Sequence, residues 1–318
     1  MKYLGAIDVG GTKTMIGIIA QDATLLGKVR FLTYTADCYI HFSDCCTRFK
    51  KLLAELDLTM NDLEGVGINM PGMVDAATGV LLQASFAGWY NIDVKRYFNQ
   101  MLGIENLFIE NDVNACAVGE LIFGNACDNF LWVTVSTGIG GAIIINRKLV
   151  YGHNSCAGEI GHVKVEYEHP AQCSCGQWGC AEAQGSGTAI TRMFAEQVEA
   201  NLSLSALIAA KNLPVDAVSC ALLAKEGNLI ALGVYKTAGK YIGRALSYAA
   251  NLLNPQKIYI GGGVADSLDL LLPSLNEELK KTMVKPCAGV EIEKTALAYD
   301  SALLGAAALV LIKNRFTL

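Results

Sequence analysis

Proline is scarce, with six in 318 residues, and no Pro-, Gly- or Ser-rich linker or low-complexity tract marks a joint in the chain. Charge is sparse as well: 17% of residues are charged, 25 Lys+Arg stand against 30 Asp+Glu, and the net charge is -5. Without a block of like sign there is no electrostatic footprint for nucleic acid or an anionic membrane, and neither is expected as a partner. The most apolar stretches, such as Ser301 to Ile312, fall short of the roughly 18 uncharged residues a spanning helix needs. Asp8 interrupts the run a signal peptide would continue, and no small-residue cleavage site follows, so a cytoplasmic chain is expected. What is plentiful is apolar surface, 52% of residues against a usual roughly 45–50%. That excludes disorder and suffices for one large domain or two moderate ones. Eleven cysteines, an odd number without a secretion signal, read as reduced thiols, some of them metal ligands.

The organisation comes from pattern. Strands are predicted at Tyr3 to Val9, Thr14 to Ala20 and Leu25 to Thr33, a β-meander whose first turn is polar and glycine-rich. Shifted by 128 positions the plan recurs, with strands at Leu131 to Ser136, Ala142 to Asn146 and Lys148 to Tyr151 around the turn Gly138-Ile139-Gly140-Gly141. Between and after them, helical spacing is read at Asp44 to Leu56, Asn114 to Phe123, Asn228 to Leu253 and Ser301 to Ile312. Further strands are read at Leu63 to Met70, Asn106 to Glu110 and Lys257 to Ile260. Meanders alternating with helices imply an α/β fold with a duplicated core and two lobes facing each other across a ligand cleft.

Three glycine turns each follow a strand: Asp8-Val9-Gly10-Gly11-Thr12-Lys13, Ser136-Thr137-Gly138-Ile139-Gly140-Gly141 and Gly261-Gly262-Gly263-Val264. Bare backbone N–H groups there can approach a polyphosphate. None has the Walker spacing or the full dinucleotide fingerprint, and any one alone is an ordinary hairpin turn. Three together shift the balance to phosphate binding, with Asp8 and Lys13 flanking the first turn as a metal–phosphate site requires. Glu110-Asn111-Asp112 ends a strand and precedes a helix. Asp112 there is the candidate base for a sugar hydroxyl attacking a γ-phosphate, although an Asn-Asp pair is also a common helix N-cap.

Cys173, Cys175 and Cys180 lie within eight residues, interspersed with glycines. One histidine, His162 or His169, would complete four zinc ligands, and such a closed site is structural. Glu159 and Glu182 flank it, so a zinc-held loop can carry groups that grip a polyol.

On these residues the chain resembles the ROK family of sugar kinases and repressors, within the actin, Hsp70 and hexokinase superfamily. Asp8 to Lys13 and Ser136 to Gly141 look like its two phosphate loops, Gly261-Gly262-Gly263-Val264 like its adenosine motif, and Glu110-Asn111-Asp112 with Asn114 and Glu120 like its catalytic segment. Most specific is Ala157-Gly158-Glu159-Ile160-Gly161-His162 followed by the cysteine run and Glu182. The resemblance implies the two-lobed actin-like ATPase (ribonuclease H-like) fold, with residues 1-112 plus 300-318 as the small lobe and 113-299 as the large one. It implies Mg²⁺–ATP on Asp8, Gly10, Gly11, Thr12, Lys13, Thr137, Gly138, Gly140, Gly261, Gly262 and Gly263. It makes His162 the fourth zinc ligand beside Cys173, Cys175 and Cys180, Asp112 the base for the 6-hydroxyl, and Asn111, Glu159, His162, Glu182, Gly72 and Ser85 the sugar contacts. A homodimer is implied too. Two departures bear on which sugar is bound: Ser85-Phe86-Ala87 stands where glucokinase-like members have an Asn and a Pro before Gly-Trp, and Gly152-His153-Asn154-Ser155-Cys156 replaces smaller residues.

The expectation is therefore an ATP-dependent hexose 6-kinase acting on glucose or a relative such as N-acetylmannosamine. A sugar-sensing repressor of the same family is the alternative, disfavoured because the first loop begins at Asp8 and no basic patch is present. A non-catalytic sugar-binding protein is disfavoured because Asp112 and the glycine turns are intact.

Overall fold

A computed structural model describes residues 2–287 and 289–312. Strands β1 (Tyr3–Val9), β2 (Lys13–Ile19) and β3 (Leu25–Leu32) form the expected opening meander, followed by helix α1 (Cys38–Glu55) and strand β4 (Leu63–Met70). Short strands β5 (Met73–Asp75), β6 (Val80–Ala84) and β7 (Trp89–Asp93) make a small antiparallel sheet. Helix α2 (Val94–Leu102) leads to β8 (Leu107–Asn111), and α3 (Asp112–Phe123) to β9 (Phe130–Val135), β10 (Ile139–Ile145) and β11 (Lys148–Leu149). Helices α4 (Ala181–Gly185), α5 (Gly187–Ala200), α6 (Leu202–Lys211), α7 (Ala217–Lys225) and α8 (Leu229–Leu253) precede β12 (Lys257–Gly261). Helix α9 (Leu268–Thr282), strand β13 (Glu291–Lys294) and helix α10 (Ser301–Leu311) follow.

The duplication is explicit in the strand orders, β3-β2-β1-β4-β8 and β11-β10-β9-β12-β13. In the first sheet β1–β2 and β2–β3 are antiparallel while β1–β4 and β4–β8 are parallel. In the second, β10–β11 is antiparallel while β9–β12 and β12–β13 are parallel. Each parallel step needs a crossover, which is where the helices enter.

By internal contacts the chain divides into unit 1, Met1–Asn129, Ala142–Ala157 and Thr295–Leu318, and unit 2, Phe130–Gly141 and Gly158–Lys294. Unit 1 extends past residue 112, where the sequence reading ended its small lobe. The reason is local: α3 packs on α10, and Gly119 meets Gly305 so closely that a Cβ added at Gly119 would lie 2.9 Å from the Gly305 Cα. The expected lobe's residues 313–318 lie outside the described residues.

Alternation along β1 builds the core of unit 1. Ile7 and Val9 face α1 and pack with Phe42, Cys45 and Phe49, while Leu4 and Ala6 face α10 and pack with Leu303, Ala306 and Val310. Asp8 falls on the second face, next after Ala6. Helix α1 begins at Cys38, six residues ahead of the apolar spacing, because the Asp37 carboxylate caps it by accepting from the N–H groups of Tyr39 and Ile40. In unit 2, Asn228 caps α8 and Asn254, in the left-handed region at φ 44° and followed by Pro255, stops it. Among the described residues no single helix is long and apolar enough to cross a membrane.

Candidate active site

In unit 1, parallel pairing sets the ends of β1, β4 and β8 side by side: Asp8 lies opposite Asn69, and Asn69 opposite Glu110. Asn111 ends β8 and caps α3, its Oδ1 accepting from the N–H groups of Val113 (2.9 Å) and Asn114 (3.0 Å). Its Nδ2 donates to the Gly72 carbonyl at 2.9 Å. The cap is therefore Asn111, which leaves Asp112 as the first helical residue, at the positive end of the α3 dipole where a carboxylate is favoured. Asp8 is buried, and that burial first, the nearby Asp112 charge second, raise its pKa to about 7. Glu110 is held inside by Asn114 Nδ2 (3.0 Å), the Asn111 N–H (2.8 Å) and the Tyr151 hydroxyl (2.8 Å), and burial raises its pKa. Glu120 is turned away to accept from the N–H of Ala296 and the hydroxyl of Thr295, anchoring the entry to α10. The first glycine turn is closed by Gly10 N–H to Lys13 O at 3.0 Å, with Gly11, Thr12 and Lys13 exposed. Ser85 is exposed after β6 and accepts from Gln83 at 2.8 Å.

Unit 2 contains a cavity of about 490 Å³ whose lining includes Ser136, Thr137, Thr188, Tyr235, Gly263 and Ser267. The second and third glycine turns thus meet at one pocket, with Gly261 and Gly262 leading into it at the end of β12. Two pairs of its lining residues are tied to each other, by Gly187 N–H to Ser136 O (2.7 Å) and Thr188 Oγ1 to Thr137 O (2.8 Å). Glu182 holds the second turn to the cysteine loop, accepting from the Ile139 N–H at 3.1 Å and from Ser174 Oγ at 2.9 Å.

The cysteine loop is a tight hairpin, with Cys173 N–H donating to Gln177 O at 2.7 Å and Gly179 N–H to Ala171 O at 3.0 Å. Gly179 has φ +74° and its Cα faces the Glu166 carbonyl, so no side chain fits there. The hairpin gathers His162, Cys173, Cys175 and Cys180 with their ligand atoms within 4.8 Å of one another. The Cys175 and Cys180 sulfurs are 3.8 Å apart, and Cys173 Sγ is 3.7 Å from His162 Nδ1. Tetrahedral zinc with bonds of about 2.3 Å to sulfur and 2.0–2.1 Å to nitrogen has edges of about 3.8 and 3.6 Å, so this donor set fits zinc. The other imidazole nitrogen, Nε2, faces Glu159 at 3.7 Å. His169 lies outside the cluster, its N–H donating to Glu166 at 3.2 Å. Lys164 Nζ stands 3.0 Å from Cys180 Sγ, a charge partner suited to a thiolate.

Several residues escaped the sequence reading. Thr191, Ala217 and Tyr235 line the cavity from α5, α7 and α8, where they sit as unremarkable helix residues, and Asp216 joins them as the N-cap of α7. Asn69 is buried with Oδ1 unpartnered among the described residues, beside Asp8 in the sheet. Its place at the end of an apolar strand was the one available signal.

A family model described as the ROK family matches residues 4–313. A glucokinase of Halalkalibacterium halodurans is 32% identical over 313 residues, 97% of this chain and 94% of that protein. The solved structure of a ROK family glucokinase from Streptomyces griseus, in complex with glucose and AMPPNP, matches with TM-score 0.82 and 28% identity, covering 96% of this chain and 98% of that one. The xylose repressor of Bacillus subtilis is 31% identical over 252 residues, 78% of this chain and 61% of the repressor.

Proposed function

We infer that the chain, which belongs to the ROK family and has its actin-like ATPase fold, is an ATP-dependent hexose kinase acting on the 6-hydroxyl of glucose or a close relative such as N-acetylmannosamine. The observation that carries this reading is the pair Asp8 and Asp112 in unit 1. A buried carboxylate whose pKa is raised further by a second, half-buried one opposes folding when charged, and the pair has a use where one meets a cation and the other a proton. A protein that only senses sugar needs no such pair.

The roles follow unit by unit. In unit 2 the cavity is assigned to adenosine, with Thr137, Gly138 and Gly140 for phosphate and Gly261, Gly262 and Gly263 for the nucleoside. In unit 1 the turn from Gly10 to Lys13 is assigned to phosphate, and Asp8 to the hydrated Mg²⁺ that neutralises the nucleotide charge. Asp112 accepts the proton of the sugar hydroxyl as its oxygen bonds to the γ-phosphorus and the bond to the β-phosphate oxygen breaks, releasing ADP. Asn111, Gly72, Ser85, Glu159, His162 and Glu182 are the proposed sugar contacts. Zinc on His162, Cys173, Cys175 and Cys180 supplies a fixed loop and no Lewis acid. A cytoplasmic setting, where ATP is available and the thiols stay reduced, is proposed with it.

The test is ADP release from Mg²⁺–ATP across a panel of hexoses, with Asp112→Ala alongside. One sugar should give turnover, and the substitution should cost on the order of 10²–10⁴ in rate while the protein stays folded. No turnover on any sugar, with one sugar raising the melting temperature, would replace the kinase by a sensor.

A further inference from the structure

A line of hydrogen bonds runs through unit 1 from helix α1 to the first glycine turn. His41, only 1% exposed, lies between Phe31, Phe42 and Trp89. Its Nδ1 accepts from the Tyr34 N–H at 3.3 Å, so the ring proton of the neutral imidazole sits on Nε2. Nε2 is 2.9 Å from Thr14 Oγ1, Thr14 Oγ1 is 2.9 Å from Thr33 Oγ1, and Thr33 Oγ1 donates to the Gly10 carbonyl at 2.7 Å. The direction of every bond is then fixed: ring N–H to Thr14, Thr14 hydroxyl to Thr33, Thr33 hydroxyl to Gly10. Such a one-way chain polarises itself, and each link strengthens the next. Thr14 is fully buried, and burial also favours the neutral ring by lowering its pKa. Thr33 grips the turn a second time through its own N–H, which donates to the Thr12 carbonyl at 2.9 Å. The turn between β1 and β2 is thus hung from Thr33, and His41 sets the orientation of the Thr33 hydroxyl.

We propose that His41 is a positioning residue for the first glycine turn, fixing the Gly10 peptide through Thr14 and Thr33 and thereby setting that turn's affinity for nucleotide phosphate. The proposal rests on the assignment of residues 10–13 to phosphate given above. His41 touches no reacting atom in this scheme; its effect passes through two hydroxyls and one carbonyl.

Calorimetric titration with Mg²⁺–AMPPNP tests it in wild type, Thr33→Val, Thr33→Ser, His41→Phe and Asp8→Asn, with glucose affinity, KM for ATP and kcat measured on the same proteins. Thr33→Val keeps shape and the main-chain bond and removes only the hydroxyl; His41→Phe fills the volume without a donor. Both should raise the AMPPNP dissociation constant and KM for ATP roughly 5- to 30-fold, the size of one lost buried bond. kcat and glucose affinity should stay within about twofold, since only the phosphate turn is disturbed, and Thr33→Ser should restore binding. Imidazole ¹⁵N shifts of the wild type should report the Nε2–H tautomer. An unchanged dissociation constant in His41→Phe, equal losses of glucose and nucleotide binding, or an Nδ1–H tautomer would overturn the proposal. Failure of the underlying assignment looks different: Asp8→Asn would bind AMPPNP as wild type does, or wild type would not bind it.

Discussion

A single buried carboxylate sets the most direct expectation about pH. Asp8 has its pKa raised from 3.8 to about 7, by burial first and by Asp112 second. Its folded pKa exceeds its unfolded value, so its favourable contribution is complete below about pH 4 and is lost as pH rises through about 7. Ligand-free Asp8→Asn should therefore be more stable than wild type at pH 8, by up to about 4 kcal/mol for three pKa units, and the gap should close at pH 4. Urea unfolding at the two pH values checks this. Cation binding works in the opposite sense, because it needs the carboxylate. Mg²⁺–AMPPNP binding at about pH 6 should release close to one proton, read from titrations in buffers of different ionisation enthalpy. Equal release by Asp8→Asn would place the proton on another group.

At the scale of elements, the cysteine hairpin is the piece whose sequence spacing pointed most directly to a metal, three thiols within eight residues interspersed with glycines, and the fold gathers them with His162. Its histidine was open by spacing alone, and the short helical turn ending in His162 decides the geometry by presenting Nδ1 to Cys173. Cys175→Ser should drop bound zinc well below one per chain and cost about 3 kcal/mol, or about 5–10 °C in melting temperature; elemental analysis and calorimetry check both. Zinc content unchanged by the substitution would remove Cys175 from the site. Other elements were hidden by rules that tertiary packing overrode. Helix α9 carries Leu268, Leu271, Leu275 and Leu279 at helical spacing, but Pro273 inside it reads as a breaker, and the buried leucine stripe against α8 tolerates the lost hydrogen bond. The small sheet β5–β7 has too few residues per strand to show alternation. The opening meander and the stops of α8 were legible because period and caps agreed there; in the repeat, β10 already begins at Ile139, so Ile139, Gly140 and Gly141, expected in the turn, are strand residues, the missing glycine side chains having hidden the alternation. The cavity lining around α5, α7 and α8 depends on which side of each helix faces inward, which apolar helices do not announce.

At the scale of the molecule, the two ends of the chain make one sheet face. Leu4, Ala6, Met15 and Ile19 come from the first twenty residues, and Leu303, Ala306, Ala307 and Val310 from α10 cover them. That closure spans nearly the whole sequence, so its loop entropy is met late and the first sheet stays half-covered until α10 has docked. Leu303 is fully buried, and Gly17 lies against it, a Cβ there falling 3.0 Å from its Cδ2. Leu303→Ala should accordingly cost about 2–5 kcal/mol by urea unfolding, from lost transfer energy plus the cavity left between sheet and helix. A chain ending at Lys294 should go further, exposing the apolar face of β1 and β2, binding a hydrophobic dye and losing the cooperative transition. The Asp8 face is the same face, so that shortened chain should also bind no Mg²⁺–AMPPNP through the first turn. A cost below about 1 kcal/mol for Leu303→Ala, with a cooperative transition kept by the shortened chain, would mean that the sheet holds its shape without α10 and that the site in unit 1 is built by the amino-terminal segment alone.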